Sequence, residues 1–289
     1  MPINKMPKSD YILSCDIGGT HITSAVVEKS TWTIVEETIT RSSVNSLENA
    51  KTIFSSWTNN MKACLDKFNH SINQVGIAAP GPFDYDHGIA LMKGQSKYDS
   101  LYNICVTEPI LEGLGQELSI RYINDAAAFL QGEVFGCGLD HHECILGVTL
   151  GTGLGSAVWR NGEKAFDANL WDTPYQDSIF EEYLVTRWFV RRFKELTGIE
   201  EKGLKEILAD YPDKDETKQL LQEYSENLAN FLKFFSEKYQ CKYFVIGGNI
   251  VNAWDKIFTD KSILADYQIE IGKYQEHAAI IGAAALFSE

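Results

Sequence analysis

The sequence predicts an α/β protein of two related lobes, and three observations carry that prediction. Residues 13–27 hold an apolar run that reaches Asp16, a turn at Gly18-Gly19-Thr20, and resumed alternation at Ile22, Ala25 and Val27, the pattern of two strands joined by a tight turn. The same arrangement returns about 135 residues later: an apolar strand over 144–150, a turn containing Gly151-Thr152-Gly153, and a strand resuming at 156–159, which points to a duplicated domain whose halves face each other across a cleft. A third glycine turn, Gly247-Gly248-Asn249, follows an apolar strand over 242–246 and feeds a helix. At 289 residues the chain is long enough for about two domains. The division falls between an N-terminal α/β lobe, 1–118, and a C-terminal α/β lobe, 119–289, with the last helix (276–289) packing back on the first.

The elements follow in order. Residues 31–41 alternate and extend the opening hairpin by a third strand. From Ser46 the apolar residues Leu47, Ala50, Ile53, Phe54, Trp57, Met61, Cys64, Leu65 and Phe68 recur three or four apart, laying one stripe along a helix whose aromatics suit core packing. A buried strand over 74–78 runs into Pro80-Gly81-Pro82, a forced turn. Such a loop at the carboxyl end of a strand is where ligands of open α/β sheets bind. Residues 83–106 are loop-rich, and Thr107-Glu108-Pro109 opens a helix ending near Gly115. The strand over 119–123 closes on Asn124-Asp125, and residues 126–133 have strong helix propensity. Asp125 thus stands where a strand stops and a helix starts, a position that suits an N-cap as well as a catalytic carboxylate. Residues 177–197 and 215–239 read as long amphipathic helices. Their apolar stripes, 180–196 and 220–235, suit either core or a homodimer interface.

Composition narrows the function. A net charge of −14 disfavours a polyanionic partner, and the roughly ten residues before the first strand are too few for a helix-turn-helix module, so no nucleic acid is expected. No segment reads as membrane-spanning, and the first ten residues lack the apolar core of a signal peptide, so the expected location is the cytoplasm. The six cysteines are scattered singly and read as reduced thiols, with no structural zinc expected. His141-His142 have no carboxylate or Cys at ligand spacing. The opening turn itself offers phosphate chemistry. Adjacent glycines let main-chain N–H groups approach a phosphate, Thr20 adds a hydroxyl, and Asp16 can hold Mg²⁺ directly or through water. An ordinary glycine hairpin has the same local pattern.

Together these stretches resemble the ROK family of sugar kinases, within the actin, Hsp70 and hexokinase superfamily. The matching segments are CDIGGTHI (15–22), VGIAAPGPFD (75–84), INDAAAFLQGE (123–133), LGTGLGSAVWRNGE (150–163) and VIGGNI (245–250), in the family's order and with family-like separations. The resemblance implies a duplicated ribonuclease H-like (actin/hexokinase-like) fold and ATP-dependent phosphorylation of a hexose or N-acetylated aminosugar hydroxyl. It implies ATP and Mg²⁺ as cofactors. Asp16 would position Mg²⁺, Gly18, Gly19 and Thr20 the β- and γ-phosphates, and Gly151, Thr152 and Gly153 would form the second phosphate clamp. Gly247, Gly248 and Asn249 would lie beside the adenosine. Asn124 would bind a sugar hydroxyl with Gly81 nearby, and Asp125 would be the base that takes the proton from the attacking hydroxyl.

The chain also departs from the family. Relatives continue past the second hairpin with a Gly-Glu-x-Gly-His segment and a cysteine-rich zinc loop; here residues 163–178 carry neither, and only Phe180-Glu181-Glu182-Tyr183-Leu184 matches the following helix start. Asp167, Asn169, Trp171 and Asp172 lie in the replacing loop. Trp171 could stack on a sugar face while Asp172 accepts hydroxyl hydrogen bonds, or the loop could be solvent-exposed with a packed Trp. His21 stands where relatives carry Lys or Asn, able to donate to a phosphate or to cap the turn. Two alternatives to a kinase follow: a non-catalytic nucleotide- and sugar-binding sensor, and a phosphatase or ATPase acting without sugar.

Overall fold

The structure is a computed structural model that describes residues 9–95 and 97–288. The described residues form two compact units. Unit 1 comprises residues up to 141 together with 164–166 and 276–288, and unit 2 comprises 142–163 and 167–275.

Unit 1 begins with β1 (Tyr11–Ile17), β2 (His21–Glu28) and β3 (Thr33–Ser43), an antiparallel meander whose inward faces are apolar. Helix α1 (Ala50–Leu65) buries Ile53, Trp57, Met61 and Cys64 at helical spacing, and Asn49 caps it by accepting from the Thr52 N–H. It is followed by β4 (Gln74–Ala79), the two-residue strands β5 (Phe83–Asp84) and β6 (Ile89–Ala90), α2 (Thr107–Leu114), β7 (Ser119–Asn124) and α3 (Asp125–Gly136). The sheet order is β3-β2-β1-β4-β7, with β4 parallel to both neighbours. The expected boundary between 118 and 119 is therefore moved to 141/142. β7 pairs with β4 along its whole length and α3 packs within the same unit, so neither can belong to the second lobe.

One polar cluster crosses this core. Asn60, 2% exposed, accepts from Ser24 Oγ (2.6 Å) and donates to Ser42 Oγ (2.8 Å) and the Thr40 carbonyl (3.2 Å), tying α1 to β2 and β3. Asn60→Ala would take from the buried Ser24 hydroxyl its short acceptor, leaving it only Cys15 Sγ (3.2 Å), and would remove a donor from the half-buried Thr40 carbonyl. The expected loss is about 1–3 kcal/mol, read as a lower urea midpoint.

Unit 2 repeats the plan. β8 (Cys144–Leu150) and β9 (Leu154–Arg160) form an antiparallel hairpin, β10 (Phe166–Asp167) flanks it, and β11 (Pro174–Tyr175) with β12 (Ser178–Ile179) makes a small separate hairpin. Then come α4 (Glu181–Leu184), α5 (Thr186–Thr197), α6 (Leu204–Asp210), α7 (Asp215–Tyr239), β13 (Tyr243–Gly247), α8 (Trp254–Ile257) and β14 (Gln268–Ile271). The sheet order β10-β9-β8-β13-β14 mirrors the first, with β13 parallel to β8 and β14. The apolar stripes of 180–196 and 220–235 are spent inside this unit. Phe180, Trp188, Phe189 and Phe193 are buried with Tyr224, Phe231 and Phe235, and the Phe189 and Tyr224 rings lie 4.4 Å apart.

The long helix expected over 177–197 is broken. The β11–β12 hairpin occupies its start, and Val185 is extended (φ −111°, ψ 168°) between α4 and α5. Apolar spacing alone cannot show this break, because the buried face continues through it. Two partners hold it: the Tyr224 hydroxyl donates to the Leu184 carbonyl (2.9 Å), and Thr186 is drawn to the turn after β8.

The C-terminal helix, Ala278–Ala284, lies in unit 1 with short 3₁₀ turns on both sides. It packs against α3 and β1 at backbone contact. Ser14 Oγ donates to the Ile280 carbonyl (2.5 Å), Gln131 Nε2 to the Gly282 carbonyl (2.7 Å), and Arg121 to the Leu286 carbonyl.

Candidate active site

The end of β7 places two neighbouring side chains with different duties. Asn124 Oδ1 accepts from the N–H groups of Ala126 (2.8 Å) and Ala127 (3.2 Å), so Asn124, not Asp125, is the N-cap of α3. Asp125 is the first helical residue, and its Oδ1 accepts from the adjacent Ala126 N–H (2.9 Å). The capping duty that would account for an acid here is already discharged.

Around Asn124 the structure gathers residues from the loop after β4. Asn124 Nδ2 donates to the Tyr85 hydroxyl (3.2 Å), which donates to the Ala79 carbonyl (3.1 Å), and a Cβ added at Gly81 would lie 3.2 Å from that same hydroxyl. Gly81 and Asn124 thus meet through Tyr85, a residue that nothing in the sequence singled out.

The carboxylate of Asp16, near the end of β1, accepts no hydrogen bond from any described residue. Burial first, and then the charge of Asp125, push its pKa up to about 7. The Asp125 carboxyl reaches solvent, yet the protein crowded around it disfavours ionisation and holds its pKa above the usual carboxylate range. The Ala126 N–H and the Lys97 ammonium oppose that rise. A buried carboxylate whose ionisation a neighbouring acid opposes makes a place where a divalent cation is favoured. Among the described residues no group of three or more His, Cys, Asp and Glu gathers to cage a metal. Mg²⁺ needs no such cage, since it takes one or two carboxylates plus phosphate oxygens and water, and Asp16 fits it on those grounds.

A group whose folded-state pKa lies above its unfolded value favours folding at low pH and loses that contribution as pH rises through the folded value. In metal-free, nucleotide-free protein, Asp16→Asn should therefore raise the melting temperature at pH 8, with the difference from wild type closing by pH 4. Thermal denaturation in chelator across that range tests it.

Both glycine turns present amides in the same manner. In the first, the Gly18 carbonyl accepts from the buried Tyr98 hydroxyl (2.6 Å) and the Thr20 carbonyl from the Val44 N–H (2.8 Å), while Gly18 N–H closes on the His21 carbonyl (2.8 Å). The N–H groups of Gly19 and Thr20 donate to no described residue. His21 Nδ1 pairs with Thr20 Oγ1 (2.9 Å), so it braces the turn's hydroxyl. In unit 2 the Gly151 N–H closes on the Gly153 carbonyl (3.2 Å), and the N–H groups of Thr152 and Gly153 are left without a partner among the described residues. Such runs of unspent amides form anion-binding concavities. The third turn joins the second: Gly248 (φ +90°) packs so closely that a Cβ would meet the Leu150 carbonyl oxygen at 2.2 Å, and a Cβ at Gly151 would lie 3.3 Å from Asn249 Oδ1. Gly247 ends β13 just before it.

The loop replacing the family's zinc segment folds on itself. Asp167 Oδ1 accepts from the Asn169 N–H (2.8 Å), and the Trp171 indole N–H donates to Asn169 Oδ1 (2.9 Å) with the ring 43% exposed. The expected packed Trp is instead a surface one. Asp172 is exposed in unit 2, with no side-chain hydrogen bond to a described residue.

Two mirrored sheets with glycine turns after their first strands, and an acid opening the helix after β7, define a sugar-kinase-like fold of the actin and hexokinase type. The chain belongs to the ROK family, whose sequence pattern matches residues 12–166, more than half of its length. Among curated proteins it is similar to a glucokinase of Thermotoga maritima, 35% identical over 89 residues that span 30% of this chain and 26% of that protein. It is also similar to an N-acetyl-D-glucosamine kinase of Histophilus somni, 26% identical over 273 residues, 83% of this chain and 79% of that protein. A ROK family glucokinase from Streptomyces griseus, solved in complex with glucose and AMPPNP, shares the fold with a TM-score of 0.72 at 18% identity, covering 96% of this chain and 98% of that one. No helix among the described residues is long and apolar enough to cross a membrane.

Proposed function

We propose that the protein is an ATP-dependent sugar kinase that phosphorylates a hydroxyl of a hexose or N-acetylated aminosugar. The observation that carries this is the division of labour at the end of β7: Asn124 caps α3, and Asp125, beside Asp16, is left to act on a ligand. The names of the relatives, glucokinase and N-acetyl-D-glucosamine kinase, supply the substrate class.

Phosphoryl transfer asks for alignment, neutralisation of charge and a base within reach of the nucleophile. Asp125 accepts the proton of the attacking sugar hydroxyl, and its raised pKa brings it closer to neutral pH, where a general base is most effective. The unspent amides of Gly19 and Thr20, and those of Thr152 and Gly153, receive phosphate oxygens. Asp16 would hold Mg²⁺, which when bound would supply neutralisation of the phosphate charge. Gly248 and Asn249 border the adenosine. The Asn124 amide and the Tyr85 hydroxyl orient the sugar, with Gly81 leaving room beside them.

Steady-state ADP release across a panel of monosaccharides and N-acetylated sugars tests the proposal. Turnover that depends on one of them supports it. Retained ATP binding without sugar-dependent turnover supports the sensor alternative, which the self-closed loop over 167–172 favours. Hydrolysis that is as fast without sugar as with the best one supports an ATPase.

A further inference from the structure

An anion-binding turn must face its N–H groups toward the ligand and its carbonyls away, since a carbonyl oxygen repels phosphate. A three-residue glycine turn has little intrinsic preference between the two orientations. In the second turn all three carbonyls are engaged. The Gly151 carbonyl accepts from both the N–H (2.8 Å) and the Oγ1 (3.0 Å) of Thr186, the Thr152 carbonyl from Arg187 (3.2 Å), and the Gly153 carbonyl from the Gly151 N–H (3.2 Å). Glu181 Oε2 takes the Leu154 N–H (3.0 Å), so the chain is gripped on the far side of the turn as well. The two grips are joined, because Glu181 Oε1 accepts from Arg187 (2.9 Å), and Glu182 holds the same guanidinium at 2.7 Å. What this arrangement leaves unspent is the pair of amides at Thr152 and Gly153.

We infer that Glu181 and Arg187 are positioning residues for nucleotide phosphate: their ion pair clamps the turn over 151–153 with its carbonyls turned away and its amides available. The break at Val185 serves the same clamp, since it starts α5 at Thr186 and brings Thr186 and Arg187 to the turn. The inference rests on the kinase assignment for the identity of the ligand, an adenine nucleotide. Its geometry rests on unit 2 alone.

Arg187 is 45% exposed and Glu181 lies outside the apolar core, so their replacement should leave the fold intact. The probe is ADP, titrated calorimetrically into wild type, Glu181→Ala, Glu181→Gln and Arg187→Ala, alongside steady-state kinetics. Loss of one charge-assisted contact is expected to weaken ADP binding, and to raise KM for ATP, by about tenfold in each alanine variant. KM for the sugar should stay within about twofold, since unit 1 supplies the sugar contacts. Glu181→Gln, which keeps an oxygen for the Leu154 N–H but loses the charge on Arg187, should fall between. Unchanged melting temperatures exclude a loss of fold. Alanine variants that bind ADP within twofold of wild type overturn the inference, as does a rise in sugar KM equal to that in ATP KM. Wild type that binds ADP but shows no sugar-dependent turnover overturns the kinase assignment alone, and weakened binding in the variants would still support the clamp.

Discussion

Asp125→Asn is expected to lower sugar-dependent phosphoryl transfer by about 10²- to 10⁴-fold, the usual contribution of a positioned general base. ADP affinity should change little, because the phosphate-facing amides belong to the turns and not to α3. The substitution is nearly isosteric, and the cap of α3 is Asn124, so the helix should keep its start. A merely structural acid would give a different result: near-normal turnover with a lower melting temperature. Removing Asp125 should also lower the pKa of Asp16, since the Asp125 charge contributes to its rise. In the variant, the pH-dependent loss of stability traced to Asp16 should therefore shrink. Kinetics, ADP titration and pH-resolved melting of one variant thus separate a base from a cap.

Gly282→Ala should destabilise unit 1 by about 3 kcal/mol or more, although alanine is the better helix former by about 1 kcal/mol. A Cβ at Gly282 would lie 1.8 Å from the Ala128 carbonyl oxygen, and one at Gly132 would lie 1.8 Å from that of Ala278. Each glycine is the seat of the other helix's backbone. A flexible side chain could swing aside, but a main-chain carbonyl inside a helix cannot, so the steric term outweighs the propensity term. The strand beneath is equally close, since a Cβ at Gly76 would meet the Ala283 carbonyl oxygen at 2.0 Å. Urea unfolding of Gly282→Ala and Gly132→Ala measures the effect. Midpoints equal to wild type would show that the crossing is looser than these distances require.

The parts of the fold that the sequence made legible are those encoded locally. Glycines beside a strand end with resumed alternation located both hairpin turns, and the strand-to-helix junction located Asp125. The stripe from Ile53 to Cys64 located α1 within a few residues. What escaped depends on partners distant in sequence. The boundary at 141/142 follows from β7 pairing with β4, which no local pattern in 119–124 reveals. The cap fell to Asn124 and not Asp125 because backbone geometry, and not residue type, chose between two good capping side chains. Tyr85 and Lys97 stand in a loop-rich polar stretch with no periodicity to mark them, and Glu181 and Arg187 are polar positions of a periodic segment whose partners in the 151–154 turn lie 27 and 35 residues away. Trp171 and Asp172 stand in a loop that departs from the family, where side-chain chemistry leaves both sugar contact and simple exposure open; in the structure Asn169 ties Asp167 and Trp171 together.

The return of residues 278–287 to unit 1 has a consequence for how the protein is made. On the ribosome, the first sheet emerges early but lacks the helix that seats on Gly76 and Gly132, whereas all of unit 2 lies between and can close on its own. Domains ordinarily complete themselves from the N-terminus as synthesis proceeds. Here the leading half stays unfinished until residues 278–287 have been made, so the face of its sheet that seats the helix is open while unit 2 folds.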